Sequence, residues 1–163
     1  MRTVLQVALI NTVIGARASM RHAWYGQPEM RAGFDQERNA MKTSKATAQD
    51  TLQMEGYEGR FSELGGYTVG YETYTADADL ADLFKGLPDD HCQCPHWGVV
   101  LKGKLTYRYI DGSEETITEG EAYYARPGHL PFLHAGTEVV EFSPTDELQQ
   151  TVEVINRNME SAG

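Results

Sequence analysis

Between Phe61 and Ser143 the sequence is cut into short runs by glycines, prolines and an Asp-Gly pair, and that rhythm leaves few folds open. Tyr67-Thr68-Val69-Gly70-Tyr71-Glu72-Thr73-Tyr74 is rich in β-branched and aromatic residues, which suit a pleated, half-buried surface. Leu105 to Ile110 reads as a strand, Asp111-Gly112 as a two-residue hairpin turn, and Glu115 to Thr118 as the strand that answers it. Ala122 to Ala125, Pro131 to His134 and Thr137 to Ser143 follow, separated by Pro127-Gly128 and Ala135-Gly136. Short strands with a turn signal about every 8 to 12 residues predict an antiparallel barrel or sandwich, not alternating βαβ units. Two helical interruptions are expected. Thr75 or Asp77 can cap a short helix through Leu80, Leu83 and Phe84 that stops at Gly86-Leu87-Pro88. At the C-terminus Leu148, Val152, Ile155 and Met159 recur at helical spacing behind Asp146 and Glu147, whose charges suit a helix N-terminus. That stripe can pack on its own domain, cover a sheet edge or meet a second copy of the chain as a homodimer.

The chemistry is concentrated in one run, Asp89-Asp90-His91-Cys92-Gln93-Cys94-Pro95-His96-Trp97-Gly98, which holds both cysteines of the protein. In an extended strand, alternate side chains share a face, so Asp90, Cys92, Cys94 and His96 would point one way. Two thiols and an imidazole on one face form a metal-ligand set that lacks a fourth member. Mixed nitrogen and sulfur donors favour zinc, with iron the alternative. His129, after Pro127-Gly128, is the expected fourth ligand, and His134, of opposite parity, the weaker candidate. Two-residue steps on a flat strand hold ligands too far apart for one ion, so the strand must bend, and Pro95 is where a bend would fall. Without that bend only one cysteine would reach the ion, and Cys92 is the one expected. Asp90 is placed beside the ligands, as an oxygen ligand or an acceptor that fixes a histidine tautomer. Tyr107 and Tyr123 are candidates to line a small-molecule pocket, and Arg108 to anchor an acidic group in it.

The same residues carry a resemblance. The run from Cys92 to Gly103, followed by Gly120 and Pro127-Gly128-His129, resembles the two sequence motifs of the cupin superfamily. That resemblance covers about residues 60 to 145 and implies an all-β, cupin-type β-barrel (double-stranded β-helix or jelly roll) that holds a metal ion. Anchored on Gly103, the cupin glutamate position falls on His96, its second histidine on Cys92, or on His91 with a spacer one longer, and its first on Asp90 or Asp89. The histidine of the second motif is expected at Pro131, and His129 lies two residues earlier. The glycine framework is that of the family, while the ligand chemistry is largely replaced. The Cys-Gln-Cys-Pro-His-Trp-Gly variant more narrowly resembles a group of small single-domain bacterial cupins of uncharacterised function.

Composition narrows the partners. A formal charge of −10 argues against nucleic acid, whose phosphates need Lys and Arg, and against an anionic membrane surface. A Cys-x-Cys pair is not a secreted disulfide framework, and a cytoplasmic, reducing compartment is expected. Residues 1 to 40 differ from the rest, with five Arg, no Lys and three acids. They suit three readings: an export signal ending near Ala16-Arg17-Ala18, an organelle-targeting segment, or a start codon properly at Met41. The expected division is an N-terminal extension over 1–57 with little fixed structure, then a cupin barrel with a C-terminal helix over 58–163. The function expected is that of a small metal-binding protein: a metalloenzyme acting on a small molecule, or a non-catalytic module that binds or senses a metal or small ligand.

Overall fold

The computed structural model of the chain describes residues 41–161. The expectations for residues 1 to 40 lie outside the described residues. Ten strands follow in chain order: β1 (Asp50–Met54), β2 (Tyr57–Leu64), β3 (Tyr67–Tyr74), β4 (Ala78–Asp79), β5 (His96–Lys102), β6 (Lys104–Tyr109), β7 (Glu114–Thr118), β8 (Ala122–Ala125), β9 (His129–Leu133) and β10 (Thr137–Pro144). Helix α1 (Thr145–Ser161) closes the described chain. The first strand begins at Asp50, so the sheet reaches eight residues ahead of position 58. The helix expected after Tyr74 is a single 3-10 turn over Ala81–Phe84, and a second such turn spans Pro88–Asp90.

The strands make two facing antiparallel sheets. One has the order β1-β2-β3-β10-β5-β8, the other β4-β9-β6-β7. From β3 to β10 the chain passes back and forth between the sheets, which is the winding of an eight-stranded jelly roll. The β1–β2 hairpin then extends the edge at β3, pairing Tyr57 with Tyr74 and Leu64 with Tyr67.

Period-two alternation decides what lies between the sheets. In β6, Leu105, Tyr107 and Tyr109 are buried, while Thr106 and Arg108 point outward. With Tyr74, Val100, Ile117, Ala125, Leu133 and Val139 they form one continuous apolar core. A second cluster, Phe84 with Cys92 and Cys94, is covered by Leu80, Leu83, Leu148 and Ile155 and joins the jelly roll to α1. The glycine at 103 is required by the turn between β5 and β6. Its φ is +75°, and a Cβ there would lie 2.8 Å from Oγ1 of the fully buried Thr137. Thr137 in turn donates to the Lys104 carbonyl at 2.7 Å, fastening this turn to the start of β10.

The apolar stripe of α1 faces one end of the jelly roll. Leu148, Val152, Ile155 and Met159 line a cavity there, with Thr151 among them. Asn158 ties the far end of the helix down, its Nδ2 donating to the carbonyls of Leu83 and Lys85, each at 2.8 Å. No described helix is long and apolar enough to cross a membrane.

Candidate metal centre and cavity

The site is built where β5 begins. The regular strand starts only at His96, and the residues from Cys92 to Pro95 are irregular except for a backbone bridge between Cys92 and His129. Cys92 N–H donates to the His129 carbonyl at 2.9 Å, and the Cys92 carbonyl accepts from Gly128 N–H at 2.7 Å. That bridge sets Cys92 directly opposite His129. The chain then turns through Cys94 and Pro95, which brings His96 back beside Cys92. Four residues of flat strand would span about 13 Å. Here Cys92 Sγ lies 3.6 Å from His96 Nε2, close to the separation of about 3.5 Å expected for two donors on one tetrahedral ion.

Cys92, His96 and His129 are all buried, and one ligand atom from each lies within 4.8 Å of the others. This His/Cys cluster could hold a metal ion. The hydrogen bonds around it suit that role. Nδ1 of His129 lies 2.7 Å from the Arg126 carbonyl, which can only accept, so Nδ1 carries the proton and Nε2 keeps its lone pair. Nδ1 of His96 faces Ser143 Oγ at 2.8 Å and Glu141 Oε1 at 3.3 Å, again leaving Nε2 on the Cys92 side. Burial keeps both rings neutral, lowering the pKa of His96 to about 4. His129 falls to about 3, through burial first and then the neighbouring His96. Burial pushes the Cys92 thiol up to about 11. A bound cation would reverse that preference, because metal ions deprotonate the thiols they hold.

The other expected site residues are placed as follows. Cys94 is as buried as Cys92, but its thiol faces the Pro95 carbonyl at 3.5 Å within the apolar cluster around Phe84, outside the group of three. Asp90 is exposed and accepts from Gly86 N–H at 2.8 Å, capping the loop. Arg108 lies on the outer face of β6, paired with Asp79 at 2.6 Å, because it alternates with the inward Tyr107 and Tyr109. His134 is also outside, 2.9 Å from Thr106 Oγ1. Tyr107 and Tyr123 do turn inward, and both donate to one carboxylate oxygen, Glu141 Oε2, at 2.9 and 2.8 Å. Gly98 makes room for this, since a Cβ there would collide with the Tyr123 ring.

Glu141 is the residue that sequence reasoning missed. It sits on β10 two residues from Val139 and two from Ser143, both buried, so alternation alone puts its carboxylate between the sheets. A second carboxylate, Glu72 on β3, faces the same interior and accepts from Tyr74 Oη. Burial raises the Glu72 pKa to about 7, with the nearby Glu141 adding to the rise and the hydroxyls of Tyr74 and Tyr57 opposing it. Glu141 is raised as well, by burial, against the pull of Tyr123 and Tyr107. Glu72, Glu141 and the three buried donors Cys92, His96 and His129 open onto one cavity of about 670 Å³ that runs up to α1. Thr151 of the helix completes that wall, 3.6 Å from Cys92 Sγ.

The described strands wind as a jelly roll, with the side chains of Cys92, His96 and His129 buried between its sheets. The fold is of the cupin type. No protein-family model matches the chain, and a search of curated proteins finds no match. Among solved structures, the chain is similar to an RmlC-like cupin from Shewanella frigidimarina, at 12% identity and a TM-score of 0.46, covering 66% of this chain and 94% of that one. It is also similar to a protein of unknown function from Rhizobium leguminosarum, at 20% identity and a TM-score of 0.47, covering 64% and 96%. A third similar structure is ectoine synthase from P. lautus, at 15% identity and a TM-score of 0.44, covering 64% and 78%.

Proposed function

We propose that this cupin-type protein binds one divalent metal ion through Cys92, His96 and His129 and acts on a small molecule held in the adjoining cavity. The observation that carries the reading is the trio itself: three buried donors within 4.8 Å of one another, with the second nitrogen of each histidine engaged elsewhere. The donor set, one sulfur and two imidazoles, is best matched to zinc, with iron the next choice. Three protein ligands beside a cavity suit an enzyme better than a closed structural site, where four protein ligands are the rule. When bound, such an ion supplies a Lewis acid that polarises a substrate oxygen or an attached water.

The protein's own groups have distinct tasks in this reading. Ser143 holds the His96 ring through Nδ1, with Glu141 beside it at 3.3 Å, and Glu141 is itself fixed by Tyr107 and Tyr123. Glu72, with its pKa raised to about 7, can exchange a proton with a substrate near neutral pH. Helix α1 shields the cavity from water. The alternative, a non-catalytic sensor, is favoured by one observation, the second buried thiol of Cys94 only two residues from Cys92. Movement of that thiol into the site would close the coordination.

Metal analysis tests the reading. Purified full-length protein should carry about one ion per chain, Cys92→Ser and His129→Ala should carry none, and His134→Ala should keep it. Wild-type protein that stays metal-free after incubation with zinc or iron(II) would overturn it.

A further inference from the structure

The cavity has a lopsided charge. Among the described residues that line it, the acids are Asp50, Glu63, Glu72, Glu141 and Asp146, and no Lys or Arg is present. The two deepest acids are neighbours by construction. In the β3–β10 pairing, Val139 stands opposite Glu72, and Gly70 opposite Glu141. The carboxylates therefore sit diagonally across two adjacent strands, on the inward face where Val139 is buried. Gly70 leaves the space that Glu72 uses, since a Cβ there would come within 3.0 Å of Glu72 Oε1. Like charges so placed repel, and Glu141 adds to the rise that burial imposes on the Glu72 pKa.

Other walls of the cavity are apolar or aromatic. Tyr57, Tyr74 and Tyr107 offer ring faces near the acids, and Leu83, Phe84 and Ile155 form the side under α1. A chamber of this size takes a ligand of drug-like dimensions. An anionic ligand would meet two buried carboxylates with no Lys or Arg among the described lining residues to offset its desolvation. The one cation that sequence reasoning offered for that purpose, Arg108, is outside and paired with Asp79.

We propose that the ligand of this cavity is a small organic cation, a primary ammonium with an apolar body, whose head lies between Glu72 and Glu141 and whose body lies under helix α1. The inference rests on the reading of the cavity as the chamber for a small molecule, and it does not require the metal. An ammonium between the two carboxylates donates charge-assisted hydrogen bonds from its N–H groups to both and removes their repulsion. The tyrosine rings add cation–π attraction. The acids nearer the surface, Glu63 and Asp146, are exposed and would draw cations toward the opening.

The test is a calorimetric titration of full-length, zinc-loaded protein with phenylbutylammonium, phenylbutanol and phenylbutyrate, three probes of similar body and different head charge. The ammonium should bind at least about tenfold more tightly than the alcohol, and the carboxylate should not bind measurably. Glu72→Gln should shrink the ammonium-to-alcohol ratio several-fold. Cys92→Ser, measured without metal, should keep the ratio, which excludes coordination of the amine nitrogen as its cause. Equal or tighter binding of phenylbutyrate, or no binding of any of the three, would overturn the inference. A protein that holds one zinc ion yet prefers the alcohol or the carboxylate sinks this inference alone. A protein that prefers the ammonium yet holds no metal sinks the metal reading alone.

Discussion

Glu141 Oε1 lies 3.3 Å from Nδ1 of His96, at a side chain that reaches Cys92 through its other nitrogen. With His96 kept neutral by burial, the contact is not an ion pair; the hydrogen bond at Nδ1 is to Ser143 Oγ at 2.8 Å, and the Glu141 carboxylate packs beside it. Carboxylate–histidine pairs of this kind hold metal ligands in place and raise their basicity. Glu141→Gln should therefore weaken zinc binding by about ten- to a hundredfold, measured by competition with a chelating dye, while the far-ultraviolet circular dichroism stays unchanged. Unaltered affinity would remove Glu141 from the site.

The Glu72 carboxyl offers a pH test that involves no metal ligand. Its pKa is near 4.5 in an unfolded chain and about 7 when folded, raised chiefly by burial. A raised folded pKa in an acid means that the folded state binds the proton more tightly, so this group's contribution to stability is lost as pH rises through 7. Glu72→Gln removes the ionisation. The variant should gain stability over wild type as pH rises from 4.5 to 7, and the gain should then level off. Urea unfolding at several pH values checks this; a gain that is largest at low pH would contradict it.

Gly98 supports Tyr123, which donates to Glu141. Gly98→Ala should cost about 1 to 3 kcal/mol from overpacking, seen as a lower Tm. The cost should be smaller in a Tyr123→Ala background, because the two changes share one clash. Full additivity would show that the ring does not feel position 98.

Asn158 latches α1 to the end of the 3-10 turn over Ala81–Phe84, through the backbone carbonyls of Leu83 and Lys85. Asn158→Ala should raise amide hydrogen exchange in the last turns of α1, with the core strands β5 and β10 unaffected. Uniform exchange across the whole fold would mean that the helix does not open on its own.

Much of this was legible before the structure, for reasons that individual residues make plain. The strand over Tyr67–Tyr74 and the apolar stripe of α1 follow from periodicity, which depends only on local geometry. The turn at Gly112, with φ +81°, follows from a residue type that tolerates that conformation. Cys92, His96 and His129 could be shortlisted from spacing, but their meeting depends on the Cys92–His129 bridge, which no local pattern encodes, and on the bend before His96. The sequence points to a bend at Pro95 as the means of bringing both thiols to one ion, but the thiol of Cys94 faces the Pro95 carbonyl, outside the group of three. Glu141 stayed hidden because a lone acid in a strand usually faces water. Its alternation with Val139 and Ser143 was the available signal, and it acquires meaning only when Tyr107 and Tyr123 arrive from other strands.

Zinc K-edge X-ray absorption of the loaded protein tests the central claim most directly, since sulfur and nitrogen donors are distinguished by distance. A site made of Cys92, His96 and His129 predicts one sulfur at about 2.3 Å and two imidazole nitrogens at about 2.0 to 2.1 Å, with any remaining ligand a light atom. Two sulfurs would bring Cys94 into a closed site, and no sulfur at all would place the ion elsewhere. Either result would contradict the account.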